Sequence, residues 1–211
     1  DNRLMMNIHD EFRPSGFSRT YPNLLTQEGI CGNEEFPDAT HNVTLPFTRM
    51  LNGAADYTIC YYDKRLRNTH AHQLAASLVF YSPLQTIFWY DNPGLYGGEP
   101  EIKWFEDLET TFDDTRVLSG YPGKGIVMAR RKGDIWWGAA MANNEGGHQE
   151  MPLDFLEAGR RYIAEIYTDG GEKIKTRTHV KIERKKVKSN DTLHFDLLPR
   201  GGAAVKFTPA D

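Results

Sequence analysis

The carboxylates of Asp10, Glu28 and Glu34 can act together only if the fold brings them to one place. Residues 4–8 are mostly apolar, and the chain then turns polar at His9 and Asp10. A buried parallel strand has this pattern, and in a β/α barrel the active-site side chains lie at the carboxyl ends of the strands. Glu28 and Glu34 follow in a loop marked by glycine and proline. The pattern predicts that these acidic groups meet at a barrel rim.

Two kinds of chemistry suit such a set of carboxylates. A pair can perform acid–base work on a glycosidic bond, and carboxylate oxygens are good ligands for a hard cation such as Ca²⁺. A solvated acidic loop contains the same residue types, because charged side chains usually lie at the surface. The residues alone leave all three interpretations open.

Elements that would position these groups are visible along the first half of the chain. The spacing predicts a helix near residues 45–51, a strand over 56–62, and a second helix that Asn68 or Thr69 caps. A further apolar strand is expected over 85–90. Strands that alternate with helices are typical of the closing part of a β/α barrel, here expected to be buried from its first strand onward.

The second half has a different texture, with short alternating runs between turn residues. A short helix over 100–108 comes first, and Lys132-Gly133 then predicts a hairpin. Further strands are expected over 162–167, 179–182, 192–197 and 204–207. The predicted fold is therefore α/β plus β, the C-terminal half of a (β/α)8 barrel over residues 1–103 and an antiparallel β-sandwich over 104–211.

Several smaller patterns have mainly structural interpretations. His70 and His72 are expected at the surface, and at least one ring of Trp136 and Trp137 in the core. Residues 184–188 are basic and favour a solvated turn or edge strand guarded by lysines over an anion site. A disulfide between the only two cysteines stays an open possibility.

Composition excludes some partners. The chain has 211 residues and a net charge of −4, so it lacks the basic character expected of a nucleic-acid-binding domain. No apolar stretch approaches the roughly 20 residues that a membrane-spanning helix needs. Asp1 leads almost directly into the predicted barrel strand, whose neighbours would have to lie upstream. We therefore expect the chain to need a missing N-terminal part of the same protein, or another copy of itself.

Ordered blocks carry a resemblance to a known family. They are His9-Asp10-x-x-Arg13-Pro14-x-Gly16, Arg19-Thr20-Tyr21-Pro22-Asn23, Gln27-Glu28-Gly29, Gly32-Asn33-Glu34 and Thr44-Leu45-Pro46-Phe47-Thr48-Arg49-Met50. This series resembles the catalytic region of glycoside hydrolase family 97, which contains calcium-dependent α-glucosidases and α-galactosidases, mostly bacterial. The second half of the chain is similar to the C-terminal β-domain of that family.

The resemblance implies roles for individual residues. Glu34 matches the general acid, and Glu28 with Glu34 matches the Ca²⁺ site. Asp10 falls where inverting members carry a glutamate that helps to activate water, and the shorter aspartate suggests the retaining branch. Because a cation would lower the pKa of Glu34, burial or a neighbouring carboxylate has to raise it if this residue donates a proton.

For His9, Arg13 and Arg19 the resemblance implies substrate contacts, and pairing with the acidic loop is an equal alternative. The expected function is α-glycoside hydrolysis in the periplasm or outside the cell, with an oligosaccharide or α-glycoside as substrate. This chain alone is expected to be catalytically incomplete. The competing hypothesis is a non-catalytic carbohydrate-binding or scaffold module.

Overall fold

Short helices and parallel strand pairings make up the first half of the molecule. In the computed structural model, which describes residues 3–210, β1 (Met6–Ile8) pairs in parallel with β2 (Leu24–Gln27). Two isolated parallel bridges follow along the chain, Gln27 with Ala55 and Ile59 with Ile87. The short helices α1 (Phe17–Thr20) and α2 (Ala39–Asn42) lie between these pairings.

The first strand differs from its prediction. β1 has the expected parallel partner, but its surroundings are not a closed core, because Leu4 and Met5 are 64% and 71% exposed and Met6 is also exposed. Burial on both faces is therefore wrong for the described residues.

Two predicted strands shrink to single bridges. The stretch 56–62 is not extended throughout, since Thr58 has a φ of 56° and its hydroxyl donates to the Tyr57 carbonyl. Residues 85–90 likewise contribute one bridge, because Phe88 and Tyr90 have positive φ angles.

The helix expected near residues 45–51 is also interrupted. It is two 3-10 helices, Leu45–Phe47 and Arg49–Asn52. Thr48 separates them with a φ of −128° and a ψ of −87°, outside the helical range. The helical spacing of the apolar residues correctly indicated helical structure here, but it does not reveal the interruption at Thr48.

Helix α3 (His70–Val79) is the central element and begins where the sequence predicts. Thr69 caps it, with its side-chain oxygen accepting from the His72 amide at 3.1 Å. Every residue from Ala71 to Val79 is buried, because the helix packs on the sheet of the second half on one side and on the 57–61 segment on the other. The short helix expected over 100–108 is a 3-10 turn leading into α4 (Lys103–Asp107).

A six-stranded antiparallel sheet dominates the second half. In spatial order its strands are β3 (Asp114–Tyr121), β4 (Gly125–Lys132), β5 (Ile135–Ala142), β10 (Gly202–Pro209), β7 (Arg161–Asp169) and β8 (Val180–Lys188). The predicted hairpin at Lys132-Gly133 joins β4 to β5, with Gly133 at a φ of +56°. A second sheet pairs β6 (Gly147–Pro152) with β9 (Thr192–Leu197).

The central strands of the large sheet are buried on both faces, which gives the second half its layered core. Met128 and Trp137 face α3 and the first half, whereas Trp136 and Phe207 face the side covered by β6 and β9. Both tryptophan rings are buried, so the prediction of a core role is confirmed. The antiparallel β-domain is present. The predicted boundary at 103/104 falls inside α4, which immediately precedes this domain.

The predictions for the basic run and for the two histidines of α3 had different outcomes. The basic run lies on β8, an edge strand, with Arg184, Lys185 and Lys186 exposed as predicted. For His72 the surface prediction is wrong, because its ring is fully buried between Asn42 and the Gly201 carbonyl. His70 is only partly exposed.

The cause of the His72 burial is the close approach of α3 to β10. A Cβ on Gly202 would lie 2.7 Å from the Cα atom of His72, so only glycine permits this packing. Cys31 and Cys60 are both free. Over residues 3–210, none of the helices combines the length and apolar character needed to cross a bilayer.

Candidate active site

An open cleft of about 510 Å³ lies beside the carboxyl end of β1. Its walls are Asn7, His9, Asp10, Glu34, Glu35, Thr86, Trp89 and Tyr90. Glu28 lies behind this wall and joins it through hydrogen bonds. The cleft therefore brings together four of the six side chains that the sequence singled out.

Glu28 is held at the end of β2 with its carboxylate turned toward the cleft. The side chain is buried, its Oε2 atom accepts from the Asp10 amide at 2.9 Å, and His9 Nδ1 lies 4.0 Å away. Asp10 itself is exposed at the rim with a φ of 54°. Its main chain, rather than its carboxylate, makes the contact with Glu28.

Arg49 fixes the main chain beneath Glu28. Its buried guanidinium donates at 3.1–3.2 Å to five carbonyl oxygens, those of Gln27, Glu28, Gly29, Gly53 and Ala54. A planar fork with five N–H donors suits such a convergent set of acceptors. One side chain thus ties the end of β2 to the turn before Ala55.

Glu34 reaches the cleft from a 3-10 helix, Asn33–Glu35. Its amide donates to the Thr58 hydroxyl at 3.4 Å, and the Asn33 amide donates to the Tyr57 carbonyl at 2.7 Å. Gly32 permits this docking, since a Cβ there would lie 2.7 Å from the Thr58 hydroxyl oxygen. The turn is therefore held against the 57–58 segment by its backbone, which leaves the Glu34 side chain for the cleft.

The carboxyl groups of Glu28 and Glu34 are close enough to affect each other. Partial burial raises the pKa of Glu34, and the hydrogen bond and negative charge of Glu28 raise it further. A hydrogen bond from Trp89 and the charge of His9 act in the opposite direction. The predicted causes, burial and a neighbouring carboxylate, are thus both present. His9, Glu28 and Glu34 each offer one ligand atom, all within 4.8 Å of one another.

Asp56 is a site residue that sequence reasoning missed. It is fully buried and accepts from His9 Nε2 at 3.0 Å, from the Asn7 amide group at 2.5 Å, and from the Thr86 amide at 2.9 Å. The contact turns the other ring nitrogen of His9 toward Glu28. The available signal was a carboxylate at the start of the β-branched and aromatic stretch 57–62, where a buried charge needs several partners.

Arg13 and Arg19 do not line the cleft. Both are exposed, and among residues 3–210 neither forms an ion pair. The Arg13 guanidinium lies 5.6 Å from the centre of the Phe12 ring. Their assignment as substrate contacts stays a prediction.

Comparison with known proteins connects this arrangement to sugar-cleaving enzymes. Residues 111–208 match the sequence model of a family described as "Glycosyl-hydrolase 97 C-terminal, oligomerisation". The chain is 32% identical to a retaining alpha-galactosidase of Bacteroides thetaiotaomicron, covering 97% of this chain and 34% of that protein. It is 30% identical to a probable retaining alpha-galactosidase of Streptomyces bingchenggensis, covering 97% of this chain and 31% of that protein.

The fold agrees with a solved structure of the same kind. A glycoside hydrolase family 97 enzyme from Pseudoalteromonas sp. strain K8, in complex with acarbose, superposes with a TM-score of 0.87 at 31% identity. The superposition covers 97% of this chain and 35% of that one. The chain therefore spans about a third of the length of the relatives it matches.

Proposed function

Because the chain belongs to glycoside hydrolase family 97 and matches the C-terminal part of its members, we propose that it serves an enzyme that cleaves terminal α-linked glucose or galactose. The observation that carries this proposal is the meeting of the Glu28 and Glu34 carboxyl groups at an open cleft. The names of the two curated relatives favour galactose and a retaining outcome.

In the proposed mechanism Glu34 is the general acid and base. Its carboxyl O–H gives a proton to the glycosidic oxygen as the bond to the sugar breaks, and its carboxylate then takes a proton from the attacking water. A raised pKa keeps more of the acid form near neutral pH, which the first step needs. In a retaining enzyme a second carboxylate forms the covalent intermediate, and we assign it to a barrel strand outside this sequence.

A calcium ion suits part of this donor set. Two neighbouring carboxylates, those of Glu28 and Glu34, are hard oxygen ligands that repel each other unless a proton or a cation lies between them. Ca²⁺ takes six to eight oxygens, so water, the sugar or other parts of the protein would complete its coordination. When bound, the ion would supply positive charge near the sugar. His9, held by Asp56 and offering nitrogen, is a better substrate contact than calcium ligand.

We further propose that the first half is one side of a β/α barrel. The parallel pairings run in chain order from β1 through β2 and Ala55 to the Ile59–Ile87 bridge, as neighbouring barrel strands would. The exposed apolar side chains beside β1 would contact the remaining strands; they include Leu4, Met5, Met6, Phe12, Phe17 and Tyr21. A periplasmic or secreted location, which the resemblance to the family implies, is part of the proposal.

The β-domain supports a second, structural role. Residues 111–208 match a model whose description names oligomerisation, so we propose that this domain contacts another copy of the protein. This role is compatible with catalysis in the first half. A purely non-catalytic carbohydrate-binding or scaffold function is the alternative that the following experiment excludes or supports.

The test is the leaving-group dependence of a Glu34→Gln variant in the protein made from its complete coding sequence. A general acid matters most when the leaving group is basic, so a disaccharide should lose turnover by about 10²–10⁴-fold. Nitrophenolate is a leaving group that does not need protonation. The rate of bond cleavage in a nitrophenyl glycoside should therefore fall much less. Sugar affinity should stay close to that of the wild type.

Glu109→Gln is the matched control, because Glu109 is exposed and away from the cleft. It should leave turnover unchanged for both substrates. Equal losses for the two leaving groups in Glu34→Gln would contradict the acid role. A wild-type protein that binds the sugar without turnover would favour the non-catalytic alternative.

A further inference from the structure

A second group of metal-ligating side chains lies on the outer face of the β6–β9 sheet, away from the cleft. His148 and Glu150 are two residues apart on β6, so their side chains leave the same face. On β9 the same holds for His194 and Asp196. The antiparallel register places Glu150 opposite His194 and His148 opposite Asp196. All four side chains are exposed, so solvent ions reach them.

Two of the three distances within this cluster are those of ligands around a small tetrahedral ion. Glu150 Oε1 lies 3.5 Å from His148 Nε2 and 3.3 Å from His194 Nδ1. Two ligands at about 2.0–2.1 Å from a tetrahedral ion lie roughly 3.3–3.4 Å apart. The three ligand atoms are all within 4.8 Å of one another. Little side-chain movement is therefore needed to place an ion between them.

Asp196 adds a hydrogen bond to the cluster that is also found in known metal sites. His148 Nδ1 lies 2.8 Å from the Asp196 carboxylate, which accepts its hydrogen. The ring is thereby oriented with Nε2 toward Glu150. In metal sites a ligating histidine usually donates its other N–H to such a carboxylate, which fixes the ring and strengthens the ligand.

We propose that His148 Nε2, Glu150 Oε1 and His194 Nδ1 bind a divalent transition-metal ion of the zinc class, with Asp196 as a positioning residue. Two imidazoles and one carboxylate suit zinc, whereas calcium and magnesium prefer oxygen ligands alone. The fourth coordination position faces solvent and takes a water molecule. This site is independent of the proposed glycosidase function, because it shares no residue with the cleft.

The test is a zinc titration of the chelator-treated full chain, measured by calorimetry. A parallel titration with Co²⁺ is measured by the absorption bands of a tetrahedral cobalt ion. Glu150→Gln and His194→Gln should each weaken binding at this site by at least about tenfold. Asp196→Asn should weaken it by about 10–100-fold through the orientation of His148. Millimolar Ca²⁺ should not compete.

Two controls separate this site from other events. Glu109→Gln changes an exposed carboxylate outside the cluster and should bind zinc as the wild type does. Zinc bound at the cleft would be common to the wild type and Glu150→Gln, so the difference between their titrations isolates the outer site. Circular dichroism of each variant checks that the fold is intact.

The competing interpretation is that these side chains form only cross-strand hydrogen bonds, with Asp196 favouring a protonated His148. In that case the wild type gives no tetrahedral cobalt spectrum, or Glu150→Gln and His194→Gln bind zinc as the wild type does. Either result would overturn the proposal. Loss of binding in both variants with normal circular dichroism would support it.

Discussion

The buried N–H and C=O groups of the main chain find hydrogen-bond partners in different ways in the two halves of this molecule. In the second half, β-ladders pair the main chain, and the buried side chains are almost all apolar. In the first half, the elements are short and polar side chains take over this task. Of the sixteen buried polar or charged residues within 3–210, fourteen precede Asp107. The first half therefore depends on a few specific side chains, whereas the second half depends on register.

The two candidate metal clusters show the same contrast. Glu28 is buried and is held by contacts from distant segments, including the carbonyls that Arg49 gathers. His148, Glu150 and His194 are exposed and are placed by the strand pairing of β6 and β9 alone. Substitutions near the cleft should therefore disturb stability and geometry together. Substitutions on the outer face of the β-domain should change ligand chemistry without changing stability.

The largest expected effect is that of Arg49→Met. The substitution removes the Arg49 donor from five carbonyl oxygens, of which only that of Gln27 is known to keep another one, the Asp56 amide. An unsatisfied buried acceptor costs about 1–3 kcal/mol, but water can reach the turn at Gly53 and Ala54, so we expect the free energy of unfolding to fall by about 3–5 kcal/mol. Urea denaturation followed by tryptophan fluorescence measures it. Arg19→Met, on the exposed α1, should stay within about 0.5 kcal/mol of the wild type.

The contact that His72 makes between the two halves can be tested by the pH dependence of stability. Burial lowers the pKa of His72 to about 4, against an ordinary value near 6.5. The folded protein therefore keeps the ring neutral, and the unfolded chain takes up a proton more readily. Stability should fall as pH decreases from about 6.5 to about 4, by about 3 kcal/mol for this residue. Denaturation midpoints at several pH values show the slope.

Comparing the pH dependence of the wild type with that of His72→Gln isolates the contribution of His72. This variant should be less stable at pH 7 and should depend less on pH over the same interval. Two neighbours also titrate. Burial lowers the pKa of His70 to about 4, which acts in the same direction, and burial raises the pKa of Asp169 to about 6, which acts in the opposite direction. Both are common to the two proteins, so identical slopes would count against the role of His72.

A smaller loss is expected from Asp56→Asn. The buried carboxylate accepts from His9, Asn7 and Thr86, and an amide group there would turn a donor toward another donor. We expect the free energy of unfolding to fall by about 2–3 kcal/mol. Asp134→Asn, which removes one exposed ion pair with Arg160, should cost at most about 1 kcal/mol. Equal effects would mean that Asp56 does not hold this corner of the cleft.

The same contrast explains what the sequence predicted. Alternation and turn residues identify β4, β5, β7, β9 and β10, because both signals lie within each stretch of chain and do not require knowledge of its partner strand. α3 was also predictable, with its cap narrowed to Asn68 or Thr69, since its signals lie within one stretch of chain. The pairing of β6 with β9 was not, because it joins segments that are distant in sequence.

In the first half the deciding interactions are long-range and polar. Nothing local indicates that Arg49 reaches five carbonyls, or that Asp56 faces His9 across 47 positions. The burial of His72 likewise depends on the close approach at Gly202. The loop pattern singled out Glu28 and Glu34, and the resemblance to a family gave them roles that stay predictions; the structure places their carboxyl groups close together. Periodicity alone identified β1 as a strand but did not reveal β2, which is its partner.

The smallest expected change in stability is that of Glu150→Gln. The residue is exposed, and the register of β6 against β9 does not depend on its charge. Without added metal, the free energy of unfolding should change by no more than about 0.5 kcal/mol. With saturating zinc the wild type should gain stability and the variant should not, because an ion that binds only the folded state stabilises it. Thermal denaturation with and without zinc measures both effects, and Glu109→Gln, which changes another exposed carboxylate, serves as the control. A variant destabilised without metal would show that the side chain supports the strand pair, and that the two halves differ less than their architecture suggests.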